Sequence, residues 1–462
     1  MTMRRILIAN RGEIAARIIR TCRALDIGTV LAVSSADRDS EPARQADRVV
    51  CVGPARSADS YLNAPGMVHA AVATGADAIH PGYGFLSERA VLPRLCTAAG
   101  IVFIGPTEDQ LAAVGDKLRA RAEAEAADIP VVPGGAANSR AEAELLAGNL
   151  AAPLLIKAVG GGGGRGLKLV ERLEDLPQLL DLAAAEAGAA FGDARIYLER
   201  YIEHGRHVEV QILGDGAGRV IQLGERDCSV QRRYQKLIEE TPAAGLSAAL
   251  RHSLLQAAVR FAQRLNYRGA GTVEFIVDAR RDSFYFLEMN ARIQVEHPVT
   301  EAVTGIDLIA EQIAIADGCG LRLRQAQVRT TGCAIECRVN AEDYRNDFRP
   351  SPGRIRDVSW PAAKGIRVDT HVVPGSSVPP FYDSLLGKII AWGPDRAGAL
   401  ARLRGAIAAT RISGVRSNLG FHAAALDDEE FQSGGVDTGF IERLYARRPD
   451  LGRPGEAGAA HG

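Results

Sequence analysis

The first part of the chain shows short apolar runs separated by stretches with helical spacing. The runs that predict strands are residues 4–9, 29–33, 48–52, 77–80 and 101–104. Between some of them apolar residues recur with helical periodicity, which predicts helices such as those at 68–74 and 88–98. Alternating strands and helices over about 110 residues are typical of a doubly wound α/β domain with a parallel sheet.

A loop rich in glycine and proline, residues 80–88, follows the fourth predicted strand. Open parallel sheets bind ligands at the carboxyl ends of their strands, so this loop is a candidate ligand contact, although a plain strand-to-helix connection has the same composition. Ser87 is predicted to cap the helix that follows. The first turn, residues 10–13, holds one glycine and lacks Gly-x-Gly-x-x-Gly, which argues against a dinucleotide-dependent dehydrogenase.

Five consecutive glycines lie between two further apolar runs. The runs at 153–159 and 167–170 predict a hairpin whose tip is the segment 160–166. Glycine lets backbone N–H groups approach an anion closely, so the tip is predicted to contact phosphate. A flexible linker has a similar composition, but linkers join domains and not paired strands. The Gly-Lys-Ser/Thr of a Walker A loop is absent.

The segment 288–296 alternates strictly between polar and apolar residues. Read as a strand, it places on one face Glu288, Asn290, Arg292, Gln294 and Glu296, with Met289, Ala291, Ile293 and Val295 on the other. A solvated antiparallel strand also alternates. The polar face, however, has no Ser, Thr or Lys, and Glu274 lies on the apolar run one hairpin earlier. Three oxygen ligands, Glu274, Glu288 and Asn290, suit a hard cation such as Mg²⁺.

The rest of the chain supplies strands, three long helices and a tail. Strands are predicted at 195–202, 207–213, 219–223, 333–339, 353–360, 366–373 and 385–392, and helices at 247–265, 300–316 and 394–410. The charged run 225–236 reads either as a solvated loop or as part of a site. We expect domains at 1–114, 115–330 and 331–446. Residues 447–462 are rich in Gly, Pro, Ala and Arg and are predicted to be disordered.

Composition excludes several classes of protein. The 462 residues carry a net charge of −1, so no basic excess points to nucleic acid or to a membrane surface. No apolar run reaches the roughly 18 residues of a membrane span, and the apolar N-terminal run is too short for a signal peptide. Seven scattered cysteines without Cys-x-x-Cys favour reduced thiols and a cytoplasmic protein. Only six of the 55 basic residues are lysines, which marks each lysine as a candidate for a role that needs a compact ammonium.

Several long stretches together resemble one family. They are residues 8–15, 80–88, 160–166, 225–233, 288–300 and 381–384. In this order they resemble the biotin carboxylases of the ATP-grasp superfamily, from Ile6 to about Arg443. The resemblance implies an N-terminal Rossmann-like domain, a central ATP-grasp domain with a mobile glycine-rich lid at about 130–204, and a β-rich C-terminal domain. It implies an ATP-dependent ligase that activates bicarbonate as carboxyphosphate and carboxylates N1′ of biotin.

The resemblance also implies roles for individual residues. The ATP-binding positions are Lys117, Lys157, Gly162, Gly163, Gly164, Glu199, His207, Gln231, Glu274 and Glu288, and the ligands of Mg²⁺ (or Mn²⁺) are Glu274, Glu288 and Asn290. The bicarbonate-binding positions are Lys236, Arg292, Gln294 and Val295. Glu296 matches the general base, and Arg338 matches the residue that binds biotin and stabilises its enolate. Tyr234 departs from the family's usual His near the nucleotide, and Val159 from a common Ser before the glycines.

The resemblance implies partners on other chains. No Met-Lys-Met of a biotin carrier occurs, and no carboxyltransferase region is recognised. We therefore expect a homodimeric subunit that acts on a separate biotinylated carrier protein, most simply within an acetyl-CoA carboxylase of fatty-acid synthesis. A propionyl-CoA, methylcrotonyl-CoA or pyruvate carboxylase, another ATP-grasp ligase that forms an acyl-phosphate, and an inactive nucleotide-binding subunit remain alternatives.

Overall fold

The N-terminal domain is built on a five-stranded parallel sheet. The computed structural model describes residues 2–137, 139–159, 167–192, 195–278 and 280–452. The strands, in the sheet order β3-β2-β1-β4-β5, are β1 (Arg5–Ile8), β2 (Gly28–Ser34), β3 (Arg48–Gly53), β4 (Ala78–His80) and β5 (Val102–Phe103). The helices are α1 (Gly12–Ala24), α2 (Glu41–Gln45), α3 (Ala64–Thr74), α4 (Val91–Ala98) and α5 (Glu108–Gly115). The predicted doubly wound domain is therefore confirmed.

The strand order reverses between β1 and β4, so the loops that follow these two strands meet. Asn10 joins them, because its Nδ2 donates to the carbonyl oxygens of Pro81 and Tyr83, both at 2.7 Å. The prediction for Ser87 was wrong: α4 begins only at Val91, and the Ser87 side chain is buried in the turns before it. The loop 80–88 thus lies at the edge of the sheet where ligands bind.

A small antiparallel sheet forms the next unit. Its strands, in the order β6-β9-β7-β8, are β6 (Gly134–Ala137), β7 (Leu154–Ala158), β8 (Lys168–Val170) and β9 (Ile196–Arg200). The accompanying helices are α6 (Lys117–Glu125), α7 (Arg140–Leu150) and α8 (Leu176–Phe191). This unit has its own apolar core, which includes Leu154, Ile156 and Leu198. The predicted hairpin of β7 and β8 is confirmed, and its glycine tip, residues 160–166, lies outside the described residues.

One antiparallel sheet of eight strands carries the rest of the molecule, in the order β14-β13-β10-β11-β12-β15-β22-β20. Its strands are β10 (Arg206–Asp215), β11 (Val220–Arg232), β12 (Gln235–Thr241), β13 (Arg268–Asp278), β14 (Ser283–Asn290), β15 (Cys333–Asn340), β20 (Ile366–Thr370) and β22 (Leu385–Gly393). Since β12 pairs with β15, the sheet runs without interruption across the predicted domain boundary at residue 331.

Helices and short strands complete the central and C-terminal parts. The helices are α9 (Ala248–Arg264), α10 (His297–Thr304), α11 (Leu308–Ala316), α12 (Arg396–Ala409), α13 (Leu419–Asp427), α14 (Glu429–Ser433) and α15 (Phe440–Arg447). The short strands are β16 (Glu342–Asp343), β17 (Arg349–Pro350), β18 (Gly353–Arg354), β19 (Asp357–Ser359), β21 (Ser377–Val378) and β23 (Arg411–Ser413). Within the described ranges every helix is too short or too polar to cross a bilayer.

Three predictions of local structure are corrected. The helix predicted at 300–316 is two helices, because Gly305 adopts a left-handed conformation (φ +71°) and ends α10. The charged run 225–236 is not a solvated loop, since β11 continues through it and buries it up to Arg232. The disorder predicted from residue 447 is wrong for the first residues of the tail, because α15 reaches Arg447 and Leu451 is buried in the C-terminal core, while residues 453–462 lie outside the described residues.

Candidate active site

The ammonium of Lys236, on β12, lies at the centre of a buried group of carboxylates. It donates to Glu209 Oε2 at 2.5 Å, to Glu274 Oε1 at 2.9 Å and to Glu296 Oε1 at 2.8 Å. The sheet brings them together, since Glu209 on β10 and Glu274 on β13 are direct cross-strand partners. Burial lowers the pKa of Lys236, but the carboxylates outweigh burial and raise that pKa well above its ordinary value. Lys236 is therefore a permanent cation.

Glu296 connects this group to a second cation. It is the N-cap residue of α10, and its Oε2 accepts from Arg338 Nη2 at 2.8 Å while Oε1 accepts from Lys236. Burial raises the pKa of Glu296, but the charges of Lys236, Arg338 and Arg226 outweigh burial and hold that pKa well below its ordinary value. Glu296 is thus an ionised carboxylate between two fixed cations, which is the state needed to accept a proton.

Arg338, on β15, is held by two carboxylates from different elements. Its Nε donates to Glu239 Oε1 at 2.6 Å, and its Nη2 reaches Glu296. Burial raises the pKa of the Glu239 carboxyl to about 7, with Arg338 opposing the rise. The guanidinium is therefore fixed in orientation and partly buried at the far side of Glu296 from Lys236.

The prediction that 288–296 is one strand is wrong beyond Asn290. β14 ends at Asn290, and residues 291–296 form an irregular segment that we call the 291–296 loop. The polar side chains still meet, because Asn290 Nδ2 and Gln294 Nε2 both donate to Glu274 Oε1, at 2.8 and 3.0 Å. The turns of this loop thus bring together the polar side chains that the alternation had predicted on one face of a strand.

Arg292 is anchored on three sides. Its Nη1 donates to Gln294 Oε1 at 2.9 Å and its Nη2 to Asn290 Oδ1 at 2.8 Å, while Nε lies 3.1 Å from Glu88 Oε2. Glu88 ends the loop that follows β4, so the guanidinium ties the 291–296 loop to the ligand-binding edge of the parallel sheet. Arg292, Gln294 and Lys236 consequently bring N–H groups together next to Glu274, and such a group of donors suits a small planar oxyanion.

The oxygen ligands proposed for a metal ion are adjacent. Glu274 and Glu288 are direct cross-strand partners on β13 and β14, so their side chains project from the same face, and Asn290 follows two residues on. Burial raises the pKa of Glu274, but Lys236 and His207 outweigh burial and leave that pKa far below its ordinary value. In the described part of the chain the Glu288 carboxylate makes no hydrogen bond or ion pair. Two carboxylates and an amide oxygen fit Mg²⁺.

Cationic side chains extend from this group toward the small antiparallel sheet of β6, β7, β8 and β9, which we call the lid sheet because it lies within the predicted lid. Lys157 on β7 forms an ion pair with Glu199 on β9, with Nζ and Oε1 2.5 Å apart. Lys117 opens α6, and burial lowers its pKa against the opposing effect of Glu288. Lys117, Lys157, Glu199 and Glu288 are therefore close enough to interact electrostatically, which places the predicted phosphate lysines beside the predicted metal ligands.

The remaining predicted site residues lie near Lys236 and Glu296 or outside the described residues. His207 on β10 approaches Glu274, with Nε2 and Oε2 2.9 Å apart, and Gln231 on β11 lies opposite Lys236 on β12. The Val295 carbonyl accepts from Lys388 Nζ at 2.7 Å. Gly162, Gly163 and Gly164 lie outside the described residues.

Sequence reasoning missed several charged residues that hold the site. Arg226 is fully buried and donates to Glu209 Oε1 at 2.5 Å, to Gln211, to Thr272 and to Thr300. The alternation of His207, Glu209 and Gln211 could have indicated the importance of Glu209. Nothing local distinguishes Arg226 from the other arginines in its charged run, because its partners come from three distant elements.

Comparisons with known proteins point to one family. Three sequence profiles match the chain: "Biotin carboxylase, N-terminal domain" over residues 2–111, "Carbamoyl-phosphate synthase L chain, ATP binding domain" over 116–324, and "Biotin carboxylase C-terminal domain" over 336–443. The biotin carboxylase of Nostoc sp. is 50% identical over 96% of this chain and 100% of its own length. Biotin carboxylase 1 of Bacillus subtilis is 48% identical over 95% of this chain and 98% of its own length.

Solved structures give the same result. The biotin carboxylase domain dimer of the Hydrogenobacter thermophilus 2-oxoglutarate carboxylase, in complex with MgADP, ADP and bicarbonate, has a TM-score of 0.93 and 42% identity, covering 98% of this chain and 99% of that one. A Campylobacter jejuni biotin carboxylase in a complex with a β,γ-ATP compound has a TM-score of 0.93 and 43% identity, covering 96% and 99%.

The fold and the cluster around Lys236 define an ATP-grasp ligase. More particularly, the chain belongs to the biotin carboxylase family, which confirms the resemblance inferred from the sequence.

Proposed function

We propose that this protein uses MgATP and bicarbonate to carboxylate biotin on a separate carrier protein. The observation that carries the proposal is the position of Glu296, whose two carboxylate oxygens are bound by Lys236 on one side and Arg338 on the other. Lys236 faces the metal and phosphate ligands, whereas Arg338 faces away from them. A base placed between these two sides suits a reaction in two consecutive steps, in which bicarbonate is activated on the Lys236 side and biotin is carboxylated on the Arg338 side.

Bicarbonate activation uses the first of these sides. Arg292, Gln294 and Lys236 bind the anion, and the ionised Glu296 accepts its proton. A bicarbonate oxygen then forms a bond to the γ-phosphorus while the bond to the leaving ADP oxygen breaks, which gives carboxyphosphate. Lys236 has to share its three N–H groups between the anion and the carboxylates that it contacts here.

The nucleotide is held by residues from the lid sheet and the large sheet. Lys117 and Lys157 supply positive charge for the phosphates, and Glu199, His207 and Gln231 contribute to the nucleotide pocket. Glu274, Glu288 and Asn290 would hold Mg²⁺, which neutralises charge on the transferring phosphoryl group when it is bound. The glycines at 162–164 are proposed to cover the phosphates and to exclude water, because carboxyphosphate would otherwise hydrolyse.

Biotin carboxylation uses the second side. Arg338 is a fixed cation placed to stabilise negative charge on the biotin ureido oxygen once N1′ has lost its proton to the departing phosphate. The C–O bond between the carboxyl group and phosphate breaks as carboxyphosphate decomposes to CO₂ and phosphate, and N1′ forms a bond to the CO₂ carbon, which gives carboxybiotin beside the ADP released in the first step and the phosphate released in this one. We infer a homodimer that works in the cytoplasm with a biotinylated carrier and a carboxyltransferase; the dimeric Hydrogenobacter relative supports the first of these points.

The test measures ADP release by the purified protein with free biotin as the acceptor. We expect release to require both bicarbonate and biotin, and to stop when Mg²⁺ is chelated. Release that requires an amine and ignores biotin would instead identify another ATP-grasp ligase with an acyl-phosphate intermediate. The carrier that co-purifies with the protein distinguishes acetyl-CoA carboxylase, our first choice, from the other acyl-CoA and pyruvate carboxylases.

A further inference from the structure

One of the six lysines has no place in the proposed chemistry and is nevertheless completely buried. Lys388 lies on β22 with a side-chain exposure of 0%. Lysine is rarely buried without a specific partner. Its Nζ donates to the carbonyl oxygen of Val295 at 2.7 Å and lies 3.1 Å from Glu13 Oε1 on α1. The C-terminal part of the sheet therefore contributes a cation to the 291–296 loop.

The register of the sheet places Lys388 beside Arg338. These two residues are direct cross-strand partners on β22 and β15, so both side chains project from the same face. Arg338 binds the side chain of Glu296, and Lys388 binds the carbonyl of the residue immediately before it. Neighbouring cations thus fix the carboxylate and the backbone of one short segment.

The backbone of the 291–296 loop is held here at two neighbouring carbonyl groups, those of Gln294 and Val295. The Gln294 carbonyl accepts from His297 Nδ1 at 2.7 Å. Among contacts of the described residues, the Val295 carbonyl accepts only from Lys388. Outside regular secondary structure a single strong donor of this kind determines where the peptide unit lies.

Glu13 holds Lys388 in position from the N-terminal domain. Its Oε2 accepts from the hydroxyl of Tyr83 at 2.8 Å, while Oε1 faces the Lys388 ammonium. Tyr83 belongs to the loop after β4, the same loop whose Glu88 contacts Arg292. The chain of contacts from Tyr83 through Glu13 and Lys388 to Val295 therefore joins three parts of the molecule at the bicarbonate positions.

We propose that Lys388 is a positioning residue for bicarbonate activation: through the Val295 carbonyl it fixes the backbone that carries Gln294 and Glu296, and Glu13 keeps it in place. This inference rests on the proposed function. Lys388 contacts no reacting atom; it acts through the loop. Its loss should thus affect bicarbonate use more than ATP binding.

The first experiment compares Lys388→Met with the wild type in bicarbonate-dependent ADP release. Displacing catalytic groups by an ångström is enough to cost about 100-fold in rate, so we expect kcat/KM for bicarbonate to fall by roughly 10- to 100-fold. The KM for ATP should change by less than about twofold. Lys364→Met, at an exposed lysine, is the matched control and should behave as the wild type.

A double variant separates positioning from simple loss of stability. Lys388→Met leaves Glu13 buried without its cation, which destabilises the fold, whereas Glu13→Gln combined with Lys388→Met removes both charges and keeps a partner for Tyr83. We expect the double variant to regain much of the lost Tm but none of the lost kcat/KM for bicarbonate. If the single variant does not fold, the double variant carries the test alone.

Two results would overturn the inference, and a third concerns the function itself. Recovery of bicarbonate kinetics together with Tm in the double variant would make the pair merely structural, as would equal losses for ATP and bicarbonate. Absence of bicarbonate-dependent ADP release from the wild type would instead refute the proposed function.

Discussion

At the scale of single residues, the site depends on charges that are shared between partners. Lys236 serves three carboxylates and Glu296 serves two cations, so no member has an independent protonation state. Buried charges of this kind are tolerated because each has several charged hydrogen-bond partners. A substitution should consequently affect rate and stability to different extents, depending on which buried charges it leaves without a partner.

Replacing the base should remove turnover without removing nucleotide binding. Glu296→Gln keeps the shape of the side chain and one of its two acceptor oxygens, but it replaces the other by an NH₂ group and cannot accept the bicarbonate proton. We expect kcat to fall by about 100-fold or more while the Kd of ATP stays within about threefold. Rates of ADP release and calorimetric titration with ATP measure the two quantities. Glu203→Gln, at an exposed carboxylate, should leave both unchanged; a normal kcat in Glu296→Gln would exclude the assigned role.

The pKa of Glu239 predicts a pH dependence of stability. Its folded pKa is raised from 4.5 to about 7, chiefly by burial, so the folded protein binds a proton that the unfolded chain releases. This contribution is complete below pH 4.5 and is lost as pH rises through 7, by up to about 3 kcal/mol. Glu239→Gln should remove it.

The measurement for Glu239 is Tm against pH for both proteins between pH 5 and 8. The Tm of the wild type, taken relative to Glu239→Gln, should decrease as pH rises toward 7 and level off above it. Because burial also raises the pKa of Glu336 and of Glu209, only this difference isolates Glu239. A difference that is constant with pH would show that Glu239 is ionised throughout.

At the scale of elements, the sequence predicted which residues of 288–296 come together, but it did not predict the secondary structure that brings them together. Alternation identified the polar members of 288–296, but β14 ends at Asn290 and turns bring Gln294 and Glu296 to Glu274 instead. Alternation depends only on local sequence, whereas the end of β14 depends on its pairing with β13 and on its packing against α6 and α9. For the same reason the charged run of β11 was read as a possible loop, since its burial comes from strands far away in sequence.

Arg226 should be among the most important residues for holding those elements together. It links β11 to β10, β13 and α10 through Glu209, Thr272 and Thr300. Arg226→Leu leaves a buried carboxylate with one cation fewer, and we expect a loss of about 3–5 kcal/mol in the free energy of unfolding.

Denaturant unfolding measures the loss at Arg226. Arg349→Leu, at an exposed arginine, is the control and should change the free energy of unfolding by no more than about 0.5 kcal/mol. Arg226→Lys should not restore stability, because an ammonium cannot reach the four partners of a planar guanidinium. Full stability in Arg226→Leu would mean that Glu209 is adequately neutralised by Lys236 alone.

At the scale of the whole molecule, the candidate active site crosses the boundaries of the predicted domains. Glu88 comes from the N-terminal domain, Lys236 and Glu296 from the central one, and Arg338 from the C-terminal one. Sequence periodicity predicted each unit but not that β12 pairs with β15, because cross-strand pairing between distant segments leaves no local pattern. The large sheet is therefore a single structural unit, whereas the lid sheet has a core of its own.

This organisation predicts which parts of the molecule open together. Amides in β12 and β15 belong to one ladder, so hydrogen–deuterium exchange should show similar protection for Ile238, Glu240, Ile335 and Cys337. Amides of the lid strands β7 and β9 should exchange faster, since only a small separate core stabilises them, and MgATP should slow them selectively through Lys157 and Glu199. Loss of protection in β15 before β12 would show instead that the C-terminal domain unfolds independently, and Arg338 and Lys388 would then leave the site with it.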